Sequence, residues 1–170
     1  MREIKHELFE ENAFNMIGKD WLLFTAEKDG KANTMTASWG GLGIMWNKKV
    51  AYIFIRPQRY TKEFVDSAEK LSISVLPNTY RKELGYLGTV SGRDEDKISK
   101  ANLTLKHYDD VPYFEEARLT LICRKLYAQE LKEECFIEKG ISEQWYPEKD
   151  YHTMYVVEIE KILENEVDKK

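Results

Sequence analysis

In NTMTASWGG (33–41), Thr34, Thr36 and Ser38 stand two residues apart. On the period of a β-strand their hydroxyls share one face at intervals of about 7 Å, and Asn33, Met35, Ala37 and Trp39 take the other. Such a row could hydrogen-bond a polar ligand, and the glycines after it would admit a close backbone approach. The bland alternative is a solvent-facing threonine strand that ends in a glycine-rich turn. GGLG (40–43) lacks the full G-x-G-x-x-G pattern and no helical spacing follows, so no dinucleotide fingerprint is present.

A second cluster is IRPQRYT (55–61), where Arg56 and Arg59 precede Thr61 at the expected start of a helix. A helix start presents unpaired N–H groups and about half a positive charge. With two guanidiniums and a hydroxyl it would form a phosphate cradle, unless the arginines are simply solvated. The third is SGRDEDK (91–97), where Arg93 and Lys97 are spaced one helical turn apart. Asp94, Glu95 and Asp96 would sit in the first turn of that helix and repel an anion, so only the two basic side chains could reach one. His152 lies in the expected last strand, on a face with Met154 and Val156; it is either a packed residue or a donor or proton relay near a redox ligand.

The elements that position these groups follow from periodicity. WLLFTAEK (21–28) reads as a strand, Asp29-Gly30 as a hairpin turn, and 33–41 as the returning strand. VAYIFIRP (50–57) is a further strand. Residues 59–70 change to helical spacing, with Thr61 expected as N-cap and Phe64, Val65 and Ala68 on one face. Residues 71–77 return to strand. Short helices are expected at 80–87 and at 94–101, the latter capped by Asp94, and long strands at 117–131 and 151–164. ENEVDKK at the end reads as a frayed tail. Five or six strands with a few short helices make a mainly β protein, a helix-decorated barrel rather than βαβ alternation.

Composition narrows the function classes. The chain has 170 residues, 42% hydrophobic and 33% charged, which suits one soluble domain spanning 1–170. No apolar run is long enough to span a membrane, and the charged N-terminus has no signal-peptide core, so a cytoplasmic location is expected. The net charge of −4 argues against nucleic acid as a partner. Cys123 and Cys135 are expected to be buried free thiols, and His6, His107 and His152 lie too far apart to suggest a metal site.

Taken together, N-x-M-T-A-S-W-G at 33–40, R-P-x-R-Y-T at 56–61, S-G-R-D-x-D-K at 91–97 and H-T-x-Y at 152–155 resemble the flavin reductase-like, FMN-binding split-barrel family, and within it the flavoredoxin branch. The resemblance runs from about Asp20 to about Leu163. It implies a homodimer of Greek-key split β-barrels with FMN near the dimer interface. By that similarity Asn33, Met35, Thr36, Ala37, Ser38 and Trp39 line the flavin, the hydroxyl row forming a wall for the ribityl phosphate. Arg56, Arg59, Tyr60 and Thr61 would hold the phosphate, and Ser91, Gly92, Arg93, Asp96 and Lys97 would close the site. The sequence departs from the family at Asp150-Tyr151-His152, where many flavin reductases carry Gly-Asp-His; the catalytic, nicotinamide-contacting role of His152 is thereby in question.

With FMN bound the difficult chemistry belongs to the cofactor, which suits a chain with no catalytic triad or paired-carboxylate motif. The leading expectation is an NAD(P)H-dependent flavin reductase passing electrons through FMN. The alternative is an electron carrier that holds FMN and takes electrons from a redox partner protein. An open stacking face would favour the reductase; a ring covered by Trp39 or by the 133–150 segment would favour the carrier. A flavin-free structural dimer would leave Arg56, Arg59 and Lys97 without a shared purpose.

Overall fold

The computed structural model describes residues 1–165. Of the expected frayed tail, Glu164 instead ends a strand, and residues 166–170 lie outside the described range. The chain opens with β1 (Arg2–Ile4) and α1 (Ala13–Asn15), which runs on into a π-type turn at Met16–Asp20. β2 (Leu22–Lys28) and β3 (Lys31–Ala37) follow as a hairpin, then β4 (Gly40–Met45) and β5 (Lys48–Ile55) as another. α2 (Tyr60–Ser67) leads to β6 (Lys70–Val75), and α3 (Arg81–Thr89) and α4 (Lys97–Lys100) come next. A small hairpin of β7 (Leu105–Tyr108) and β8 (Val111–Phe114) precedes β9 (Leu119–Glu130), α5 (Lys139–Trp145) and β10 (Thr153–Glu164).

The main sheet runs β3-β2-β6-β9-β10-β5-β4 with β1 added on β10, and its pairings are antiparallel. It holds eight strands where the sequence suggests five or six. The missed strands have physical explanations. β4 is GGLGIM, which reads as a turn, yet its glycines make room for Tyr52 on the neighbouring strand. A Cβ on Gly40 would stand 2.8 Å from the Tyr52 carbonyl oxygen, and Gly41 and Gly43 lie against the Tyr52 ring. These glycines therefore let β4 pair closely with β5 at Tyr52. The turns at Trp46-Asn47 and Asp109-Asp110 adopt positive φ at both residues, like Asp29-Gly30, without the glycine that normally marks a type I′ hairpin.

β2 is buried on both faces, which explains its unbroken apolar run. Leu22, Phe24 and Ala26 join the main core with Ile53, Ile73, Leu121, Tyr155 and the helical Phe64 and Val65. Leu23 faces a second cluster formed with Leu76, Leu84, Leu87, Leu103 and Phe114. α3 is thereby clamped over the outer face of the β2–β3 hairpin. Two expected caps shift: α2 has Arg59 at its N-cap position, with Thr61 buried inside the helix, and α4 is capped by Asp96 rather than Asp94. Cys123 is buried as expected, but Cys135 is exposed.

Candidate functional site

The site forms where β3 is the open edge of the sheet. Thr34 does not face it. Its hydroxyl donates to the Phe24 carbonyl at 3.1 Å and lies 2.9 Å from the Thr25 hydroxyl, both groups being fully buried. The Thr36 hydroxyl donates to the Leu84 carbonyl at 2.7 Å and so anchors α3. The hydroxyl row is thus largely consumed in joining β3 to its neighbours, and no wall for a ribityl phosphate results. What β3 offers instead is backbone. Arg59 Nη2 reaches the Thr36 carbonyl at 3.4 Å, so that carbonyl points out of the sheet. In an antiparallel ladder alternate residues turn both polar groups to the same side, so Thr34 and Thr36 present N–H and C=O along the open edge.

Two clefts meet along this edge. The larger, about 350 Å³, is walled by Met35, Thr36, Ala37, Ser38, Trp39 and Phe54, with Arg56, Gln58, Arg59, Trp145 and His152 around it. The smaller, about 120 Å³, is lined by Tyr60, Thr61, Thr89, Val90, Ser91, Gly92 and Lys97. Met35, Gln58 and Arg59 line both, so the clefts adjoin. Their sizes suit a flat ring system joined to a small anionic tail.

At the small end sit two cations with no carboxylate partner among the described residues. Lys97 is 4% exposed, and its ammonium donates to the carbonyls of Leu87 at 2.9 Å and Val90 at 3.0 Å. Burial, reinforced by the Arg59 charge, pulls its pKa down to about 8. Arg59 donates to the Gly88 carbonyl at 2.8 Å, and burial lowers its pKa as well. Gly92 makes the floor; a Cβ there would stand 2.2 Å from Asn33 Oδ1. Asn33 is buried behind it and donates to the Thr61 hydroxyl at 2.9 Å.

At the wide end aromatic rings gather. Trp39 meets Trp145 edge-on with ring centres 5.1 Å apart, and the His152 ring at 5.2 Å. His152 Nδ1 lies 2.8 Å from the Tyr146 hydroxyl, and burial, then the Arg56 charge, lowers its pKa to about 4. It is therefore a neutral imidazole at neutral pH, fixed by Tyr146.

Several expected roles are not borne by this geometry. Arg56 does not join Arg59 at the small end. It donates to Asp150 at 2.6 Å and to the Trp145 carbonyl at 2.7 Å, and lies over the Tyr146 ring. It ties the segment carrying α5 to the loop after β5, and Gln58 adds a bond to Asp150 at 2.7 Å. Arg93 is not on a helix with Lys97. It stacks on Tyr60, pairs with Glu63 and donates to the Gln58 carbonyl, outside both clefts. Asp96 turns to Ser99 as a cap. Gln58, Phe54, Thr89 and Val90 were not singled out by sequence. Gln58 sits inside the quoted arginine motif, but the α3 carbonyls carry no side-chain signal.

Known proteins share this architecture. A flavoredoxin from Methanosarcina acetivorans matches with a TM-score of 0.67 at 22% identity, over 98% of this chain and 77% of that one. An FMN-binding protein from Thermus thermophilus with bound p-hydroxybenzaldehyde gives 0.69 at 20%, over 98% and 83%. The flavoredoxin of Desulfovibrio vulgaris (Miyazaki F) gives 0.67 at 20%, over 96% and 78%. At these identities the likeness is one of fold, the split barrel. An uncharacterized protein of Archaeoglobus fulgidus is 29% identical over 96 residues, which is 55% of this chain and about half, 54%, of that protein. Among the described residues no helix is long and apolar enough to cross a membrane. The sequence profile of the flavin reductase like domain matches residues 17–170, so β2, β3 and both clefts lie within it, and the chain belongs to that family.

Proposed function

We propose that the two adjoining clefts hold FMN, its phosphate beside Lys97 and Arg59 and its ring along the open edge of β3 between Trp39 and His152. The observation that carries this reading is a buried lysine and a half-buried arginine side by side without a carboxylate partner among the described residues. The bland account has them neutralise the C-terminal end of α3, but such an end carries only about half a negative charge. Two full positive charges leave an excess that a phosphate dianion would balance. Thr61 and the uncapped start of α2 stand beside them.

The redox chemistry is that of the isoalloxazine ring when FMN is bound. The chain supplies the rest. Backbone groups of Thr34 and Thr36 are placed to hydrogen-bond a ring edge, and Trp39 and Trp145 exclude water from one side. His152, neutral and tethered by Tyr146, can hold a donor or acceptor towards the cleft without adding charge. The leading reading is an NAD(P)H-dependent oxidoreductase, a homodimer whose exposed Ile44, Trp46 and Tyr127 suggest the self-contact. A second reading, the electron carrier, is favoured by the Trp39–Trp145 contact at the mouth of the ring cleft.

Titration with FMN and with riboflavin tests the cofactor assignment, since only FMN carries the phosphate. Preference for FMN by a factor of about 100 is expected, and equal affinities would overturn it. Anaerobic mixing of the FMN-loaded protein with NADH and with NADPH separates the two readings. Prompt bleaching of the flavin absorbance supports the reductase, and none over hours the carrier.

A further inference from the structure

Beside its polar residues Glu143 and Gln144, α5 shows solvent an apolar stripe. Ile141 and Trp145, four residues apart in α5, share one side of the helix, and Ile137 stands in the approach just ahead of it. Ile137, Ile141 and Trp145 are 100%, 44% and 44% exposed. A neighbouring side supplies the packing: Ser142 meets the Tyr151 hydroxyl, and Tyr146 is buried against His152, Phe136 and Tyr151. The stripe is therefore additional to what holds the segment in place. It continues across the Trp145–Trp39 contact to Trp39, itself 40% exposed, and both tryptophans line the ring cleft. Anything seated on the stripe lies over the mouth of that cleft.

The charge around the stripe is net negative, although Glu133 pairs with Lys149 and Asp150 with Arg56. From Glu133 to Asp150 the sequence carries six acidic residues and two lysines. Glu134 and Glu138, each three residues before an isoleucine of the stripe, are exposed and have no ion partner among the described residues. A second copy docked on the same face would set acid against acid, because a two-fold contact brings a patch to itself. A short apolar strip with an acidic rim is instead complementary to a basic surface with an apolar centre, in the size class of transient contacts.

We propose that the α5 stripe is the docking surface for a basic partner protein, placed so that the partner sits against the Trp39–Trp145 end of the ring cleft. The assignment of a redox purpose to this contact rests on the FMN reading above; the contact itself does not.

The test uses the FMN-loaded full chain and, as probe, cytochrome c, a basic protein whose lysines surround an apolar patch. Backbone amide shifts and calorimetry are recorded at low and at physiological salt. Shifts concentrated on 134–146 and around Trp39 are expected, with affinity falling about tenfold in E134K/E138K and about tenfold in I137S/I141S. Glu10→Lys, an exposed acid far from the stripe in sequence, should change affinity less than twofold. Equal losses in Glu10→Lys and E134K/E138K, or shifts spread over the whole surface, would overturn the proposal by showing attraction to net charge alone. A dimer in sedimentation that I137S/I141S dissociates would also overturn it, because the stripe would then be covered by a second copy. FMN titration of each variant keeps the two claims apart: docking variants that still bind FMN normally leave the cofactor reading intact whichever way docking falls.

Discussion

Lys97 and Arg59 bind consecutive carbonyls at the end of one helix. The ammonium takes Leu87 at 2.9 Å and the guanidinium takes Gly88 at 2.8 Å. The two cations thus share an acceptor set too weak to neutralise them, and each raises the cost of the other. Their removal is the most direct assay of what the cleft is for. Arg59→Ala and Lys97→Met should each reduce FMN affinity by about 10- to 100-fold, the worth of a charged hydrogen bond, and riboflavin affinity by less than threefold. Fluorescence-quenching titrations with both ligands check this. Parallel losses would place the phosphate elsewhere.

The same pair predicts a pH dependence. Lys97 titrates at about 8 in the ligand-free protein, below its ordinary value near 10.5. A phosphate beside it would push that pKa back up. FMN affinity should therefore be flat from pH 6.5 to 7.5, then fall by up to tenfold per pH unit once Lys97 must take up a proton to bind. Riboflavin affinity should show no such limb, and Lys97→Arg, which stays charged, should remove it. In the ligand-free chain the sign for stability is the opposite. The unfolded state holds the proton between about 8 and 10.5 and the folded state does not, so Lys97 adds stability as pH rises through that window.

His152 gives a separate acid limb. Its folded pKa of about 4 lies below the unfolded value of 6.5. Its neutral, buried form stabilises the fold fully above pH 6.5, and this contribution is lost as pH falls towards 4. His152→Gln, which keeps a polar group near Tyr146, should flatten melting temperature against pH between 6.5 and 4. An unchanged acid limb would mean that other groups dominate it.

Arg56 and Asp150 should behave as a tether rather than as phosphate ligands. The pair is about three-quarters shielded and fixes the backbone of Trp145. Asp150→Asn or Arg56→Gln should loosen the α5 segment, seen as faster amide exchange over 139–150. Both ligands, FMN and riboflavin, should weaken alike, by a fewfold, because the ring end is disturbed and the phosphate end is not. A loss specific to FMN in Arg56→Gln would return Arg56 to the phosphate.

The contrast between the two arginines shows how far the sequence could be read. Periodicity and the Asp29-Gly30 turn gave the β2–β3 hairpin and the long strands β9 and β10 within a few residues, because those signals are local. Strand β4 and the β7–β8 hairpin escaped because their logic is cross-strand: Gly40, Gly41 and Gly43 answer to Tyr52, and Trp46-Asn47 takes a positive-φ turn without glycine. The motifs placed Arg59, Thr61, Gly92 and Lys97 in one region, and the fold brings them to one cleft. They could not reveal that Arg56 has a carboxylate 94 residues away, or that Thr34 and Thr36 spend their hydroxyls on Phe24 and Leu84. Side-chain direction at a sheet edge depends on which partner arrives, and that is a tertiary fact.

Gly92 offers the sharpest steric check on where the small cleft ends. Its missing side chain leaves room for Asn33, whose Oδ1 would lie 2.2 Å and Cγ 3.0 Å from an added Cβ. Asn33 is 2% exposed and held by its bond to Thr61, so it has little room to retreat. Tyr60 closes the other side, with Cδ1 at 3.3 Å. In Gly92→Ala the methyl must displace Asn33, break the bond to Thr61 and swing that hydroxyl within the cleft, an overpacking cost of about 1–3 kcal/mol. Melting temperature should drop by about 2–10 °C for a chain of this size. FMN affinity should fall with it, since Thr61 and Lys97 line the same small space, whereas the control Gly85→Ala, which meets nothing within 4 Å, should leave both measurements unchanged or slightly improve stability. If Gly92→Ala binds FMN as tightly as the parent, the small cleft is not where the phosphate sits.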